Sequence, residues 1–226
     1  MSAISISDRT RVFEISAVLL TAAGKFIFMD FLDWKLLFIV TSIIFWSCYI
    51  IYQSKKKPGI TRYWGFRTDN FTETTGIVLP FAIIALTLFI SIAIFNDTLN
   101  ATWHIIPLLF FYPIWGIIQQ FLLIALIAGN LNDIRSLKIP KVFVIILSAS
   151  LFGLIHYPFG WLIAGTFILS IFYSLIYLKH RNIYVLGIFH GWLGAVFFYT
   201  VVNRDPFIEV FGRLLYAPLS QLESGK

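Results

Sequence analysis

A chain of 226 residues that is 59% apolar and only 12% charged, with a mean hydropathy of +0.85, lies outside the composition of soluble domains, where about a quarter of residues are charged. Its 24 Phe, 10 Tyr and 7 Trp are not set in alternating apolar and polar strands, which excludes an outer-membrane barrel with a polar lumen face. What remains is an all-α, polytopic transmembrane helical bundle. A single cysteine, Cys48, excludes an intrachain disulfide and a thiolate-rich metal site.

Helices of roughly 17 to 25 apolar residues cross about 30 Å of hydrocarbon. Seven candidate spans follow in chain order: 12–29, 34–52, 76–95, 104–129, 142–156, 159–178 and 183–202. The first contains Glu14 and Lys25 and has no small-residue cleavage motif behind it, so it reads as a retained helix rather than a signal peptide. The fifth is short, which implies tilt or an interfacial start near Ile139. Between the second and third spans, residues 54–75 interleave aromatics and charges around Pro58-Gly59 and Trp64-Gly65 and read as an amphipathic piece on the membrane surface. Residues 207–218 are apolar but contain Glu209 and Arg213 and are too short to span, so a C-terminal interfacial or re-entrant helix is expected. Repeats, linkers and low-complexity segments are absent, and residues 1–226 read as one membrane domain.

The net charge of +6 is a topology signal. Arg9, Arg11, Lys55 to Lys57, Arg62, Arg67, Arg135, Lys138, Lys141, Lys179 and Arg181 all fall on one side of the predicted spans. The other side holds Lys25, Lys35, Arg204, Arg213 and Lys226, and residues 96–103 contain no Lys or Arg. The positive-inside rule then puts the N-terminus in the cytoplasm, with a bacterial inner membrane as the expected location. A nucleic-acid site would need these cations on one folded surface beside base-stacking aromatics; here the aromatics lie in the spans, and no nucleic-acid partner is expected. The lipid bilayer is the expected partner.

An ionisable or amide side chain in mid-span needs a partner or a cavity, so each is a functional candidate. The fourth span carries Gln119 and Gln120, the fifth ends in Phe152-Gly153-Leu154-Ile155-His156, and the seventh reads Phe189-His190-Gly191-Trp192-Leu193-Gly194. At about 1.5 Å per residue, Gln119, His156 and His190 lie at about 15, 20 and 12 Å from the basic side, close enough in depth to share a polar pocket. Against this stand blander readings. Glutamine pairs act as interhelical glue worth about 1 kcal/mol, His156 sits at a helix end beside Tyr157-Pro158, and Gly187 and Gly191 make a small-x-x-x-small contact that explains the glycines but not the imidazole between them. His104 and His180 border polar loops and are expected to be solvated.

At these residues the chain resembles the CAAX-protease and bacteriocin-processing (CPBP, or Abi) family of intramembrane endopeptidases. The family pattern is Glu-Glu-x-x-x-Arg on one helix, Phe-x-x-x-His on the next and His-x-x-x-Asn or Asp two helices later. Phe152 and His156 meet the second element, and His190 meets the first half of the third, with Gly194 where the amide should stand. Gln119 and Gln120 replace the two glutamates, and Ile124 replaces the arginine. The resemblance covers residues 104–202. It implies that His156 orients or deprotonates a water, that His190 donates to an oxyanion, and that Gln119 only orients, because a carboxamide has no useful basicity. Losing a general base typically costs about 10²- to 10⁴-fold. The resemblance therefore leaves open an altered peptidase or a pseudoenzyme that binds a lipidated or transmembrane peptide.

No cofactor is implied. Catalytic zinc usually takes three protein ligands, and two imidazoles with two neutral amides fall short. A non-catalytic transporter or scaffold subunit is the alternative, in which the same polar residues are packing or solute contacts; the paired repeats or broken helices common in transporters are not evident. A rhomboid-type serine protease needs an activated serine, and Ser148 and Ser150 lack a Gly-x-Ser context.

Overall fold

The computed structural model describes residues 6–99 and 102–223, and among these every regular element is helical. The chain runs through α1 (Asp8–Phe31), α2 (Lys35–Lys56), α3 (Ile60–Trp64), α4 (Phe71–Phe95), α5 (Ile105–Asp133), α6 (Lys141–Ile155), α7 (Gly160–His180), α8 (Ile183–Thr200) and α9 (Pro206–Glu223). Six of them, α1, α2, α4, α5, α7 and α8, are long and apolar enough to cross a membrane, the seventh predicted span being α6. With 15 residues it reaches about 22 Å, short of the hydrocarbon thickness. The predicted C-terminal helix is present and longer than expected, while Lys226 lies outside the described residues.

Two helices change pitch part-way. Residues Phe26–Phe31 of α1 and Phe121–Gly129 of α5 are π-helical, a wider turn that frequently occurs at functional sites. All nine residues of the α5 segment are buried, so α5 is the central element against which α1, α6, α7 and α8 pack.

Both ends of the bundle are stitched by polar groups. At the basic end Arg11 donates to Tyr63 Oη (2.5 Å) and Asn130 Oδ1 (3.2 Å), and Asn130 and Tyr49 donate to Glu14 (2.7 and 2.5 Å). Tyr63 and Arg181 both donate to Asp133 Oδ2 (2.5 and 2.6 Å). Arg11, read from sequence as a loop charge, is instead a buried helical residue, and Glu14 is buried with it. Asn130 bridges the two charges, accepting from Arg11 and donating to Glu14, and such polar partners are what make burial of a charge tolerable.

The segment between α2 and α4 departs from its expected place on the membrane surface. Its α3 inserts Ile60 and Trp64, each 1% exposed, into the core. Gly59 (φ 88°) and Gly65 (φ 96°) bracket this turn in the left-handed region, which an L side chain rarely adopts. A Cβ on Gly65 would also stand 2.8 Å from the carbonyl oxygen of Arg181. Trp64, Trp46 and Phe66 meet Phe121 with ring centroids 5.2, 6.2 and 5.3 Å apart, forming an aromatic layer just inside the basic end.

At the opposite end His104 is not solvated: it is 9% exposed, its Nδ1 lies 2.6 Å from Asp205 Oδ2, and its ring stacks on Phe207 at 4.7 Å. Tyr199 also donates to Asp205 (2.8 Å), as do the backbone N–H groups of Phe207 and Ile208 that open α9. Burial alone would raise the Asp205 carboxyl, but the hydrogen bonds from His104, Tyr199 and the backbone outweigh it and hold the group below its ordinary value. His180 is half-buried, its Nδ1 3.4 Å from Glu73.

Candidate functional site

The site begins with a backbone contact. A Cβ on Gly187 would lie 2.4 Å from Cα of Ile117, one on Gly191 2.5 Å from the nitrogen of Pro113, and one on Gly116 2.4 Å from the carbonyl oxygen of Gly187. Only glycine at these three positions lets α5 and α8 approach so closely, the small-residue mode of membrane helix packing. Gln119 stands one turn beyond Gly116 on α5, and His190 one residue before Gly191 on α8. The close approach sets His190 Nε2 2.9 Å from Gln119 Oε1.

Helix α6 delivers the second imidazole. It stops at Ile155, and His156 turns the chain, its Nδ1 2.8 Å from the carbonyl oxygen of Phe152. The Phe152 ring is buried between the two imidazoles, with centroids 5.2 Å from His156 and 5.3 Å from His190. Thr166 of α7 donates to the Leu162 carbonyl (2.6 Å) and reaches the Phe152 carbonyl at 3.4 Å, holding α7 against the His156 turn.

These contacts fix the tautomers. A carbonyl or amide oxygen only accepts, so Nδ1 carries the proton in His156 and Nε2 carries it in His190, in the amide orientation assigned to Gln119. The lone pairs are left on Nε2 of His156 and on Nδ1 of His190. The latter atom is buried and has no hydrogen-bond partner among the described residues.

Gln119, His156, His190 and Gly194 all line one cavity of about 800 Å³, whose remaining wall is mostly apolar. Gly194 leaves room: nothing lies within 4 Å of where its Cβ would be, so the space for the missing amide persists without the amide. Gly194→Asn is therefore expected to be accepted with a melting-temperature shift within about 2 °C, since the new Cβ meets no atom within 4 Å and a helical glycine is a poor helix former. Thermal unfolding of the purified protein measures this.

Gln120 does not join the site. It is fully buried, lies outside the cavity wall, and neither atom of its amide has a partner among the described residues. The step from 119 to 120 turns the side chain about 100° around an α-helix, so a pair in sequence cannot be a pair in the pocket. Ile124 is buried in the π segment. Ser148 is buried and, like Ser150, outside the cavity wall. Among the described residues no group of three or more His, Cys, Asp or Glu side chains is arranged to hold a metal ion.

Sequence reasoning missed Thr166 and undervalued Lys25. Lys25 lines the cavity, pairs with Asp30 at 2.6 Å and reaches the Tyr157 carbonyl at 3.4 Å, beside the His156 turn. Its signal was a cation inside a predicted span; Thr166 gave none.

No curated protein and no solved structure matches the chain. Residues 100–196, which hold the Gln119–His190 pair, the Phe152–His156 turn and Gly194, match the family model described as type II CAAX prenyl endopeptidase Rce1-like, bearing out the CPBP resemblance of this chain.

Proposed function

We propose that this CAAX-protease-like membrane protein binds a lipidated or transmembrane peptide segment in its cavity and hydrolyses it poorly or not at all. The observation that carries this reading is the state of Gln119: its amide oxygen is occupied by His190, and a carboxamide cannot take a proton from water. Gln120 is turned away from the cavity, so neither position that bears a glutamate in the family supplies a base here. His190 fits an anchoring role better than an oxyanion donor, because its one proton in the neutral ring is spent on Gln119. The positive-inside distribution supports a cytoplasmic N-terminus.

One observation favours residual hydrolysis as a second reading. The unprotonated Nε2 of His156 belongs to a residue of the cavity wall, and the free lone pair of a neutral imidazole can accept a proton from a water. A transporter or scaffold role is disfavoured because the three polar groups share one cavity rather than separate packing faces. The protein purified in detergent is expected to bind lipidated or transmembrane peptides saturably without releasing cleaved product. Cleavage that disappears in both His156→Ala and His190→Ala would establish the peptidase instead.

A further inference from the structure

The wall of the cavity belongs to one end of the bundle. Along α1 it includes Lys25, Ala22, Thr21 and Val18 and stops before Glu14 and Arg11. On α2 it takes in Lys35, Phe38 and Ile39 and stops before Trp46. Along α5 it runs from Tyr112 to Leu123 and stops before Asn130 and Asp133. Every residue at which it stops belongs to the basic-end network or to the aromatic layer. The cavity is thus floored toward the basic loops and opens toward the turns that join α1 to α2 and α8 to α9.

That mouth is charged but balanced. Three cations and three anions line it, and they are matched pairwise: Lys25 with Asp30 at 2.6 Å, Lys35 with Asp33 at 3.4 Å, and Arg204 with Glu209 at 2.5 Å. A flank of a single sign would meet an equal number of like charges and gain only by breaking one of these pairs. A flank carrying both signs can exchange partners with a pair and leave every charge matched.

We infer that the cavity receives its peptide from the non-cytoplasmic side, opposite the basic loops, and that the peptide segment lying in the mouth is charge-balanced. This deepens the peptide-binding reading above and rests on it and on the cytoplasmic N-terminus.

The test uses the full chain with Cys48→Ser and single cysteines at Thr21 or, as a second wall position, Ala85, with Lys55→Cys marking the basic end. In spheroplasts of a bacterial host, a membrane-impermeant maleimide is expected to label Thr21→Cys and Ala85→Cys from outside, and Lys55→Cys only after permeabilisation. In nanodiscs, a lipidated peptide flanked by Lys-Glu is expected to slow wall labelling about fivefold more than one flanked by Lys-Lys or Glu-Glu, equivalent to roughly 1 kcal/mol for one exposed ion pair. Wall cysteines labelled only from the side of Lys55→Cys, or from neither side, overturn the access route. Equal protection by the three peptides overturns the balanced flank. Protection by none overturns the peptide reading itself while the sidedness result stands, and external labelling of Lys55→Cys with internal labelling of the wall overturns the orientation.

Discussion

Gln119→Glu is expected to raise cleavage of a bound lipidated peptide by about 10²- to 10⁴-fold over the parent protein, the range a positioned general base supplies. The substitution keeps the shape of the side chain. One carboxylate oxygen can take the place of Oε1 in accepting the His190 N–H at 2.9 Å, and the second oxygen replaces an NH₂ group that could only donate. It adds an acceptor with real basicity on the wall of the cavity that His156 also lines. Adding Gly194→Asn supplies a donor in open space, worth up to a further 10²- to 10³-fold if it reaches the developing oxyanion. Single-turnover cleavage assays on the parent, the single variants and the double variant measure both steps. A Gln119→Glu protein that still binds peptide but cleaves no faster would show that the missing carboxylate is not what limits turnover, and the proposed reason for inactivity would fall.

Gly187→Ala is expected to cost about 3 kcal/mol or more and to yield little monodisperse protein. The new methyl carbon would stand 2.4 Å from Cα and 2.7 Å from the backbone nitrogen of Ile117, and backbone cannot rotate aside as a side chain can. Overpacking a well-filled interface costs 1–3 kcal/mol even where side chains can yield. Here α5 and α8 must separate, which also pulls Gln119 from His190. Gly76→Ala in α4 is the control, because nothing lies within 4 Å of its Cβ position and the change should stabilise by about 0.5–1 kcal/mol. Thermal unfolding and size-exclusion profiles of the two variants separate the outcomes. A Gly187→Ala protein as stable as the Gly76→Ala control would mean that α5 and α8 do not touch.

The sequence was most legible where one physical requirement acted alone. Apolar run length gave the six long helices, and α6 announced itself as short. The approach of Gln119, His156 and His190 was readable from depth along three helices because hydrocarbon leaves a polar side chain few alternatives. Features that depend on rotation about a helix axis were not readable. Nothing in Gln119-Gln120 says which amide faces the cavity, since that follows from the packing of Gly116 against Gly187. Polar residues near helix ends were misjudged for a related reason. Arg11 and His104 look solvated by position, yet each has a partner more than 100 residues away: Asn130 and Asp205. The α3 segment carries the composition of a surface helix, and only the tight fit of Trp64 against Phe121 draws it inward.

The aromatic layer of Trp46, Trp64, Phe66 and Phe121 has one more bearing. A molecule that crosses a membrane through a protein needs two openings, whether present together or in turn, and here the inner route would have to pass through interlocked indole and phenyl rings. Parting them would also unseat α3 and its Tyr63, the phenol that accepts from Arg11 and donates to Asp133. Toward the basic loops the hollow is therefore a cup rather than a conduit.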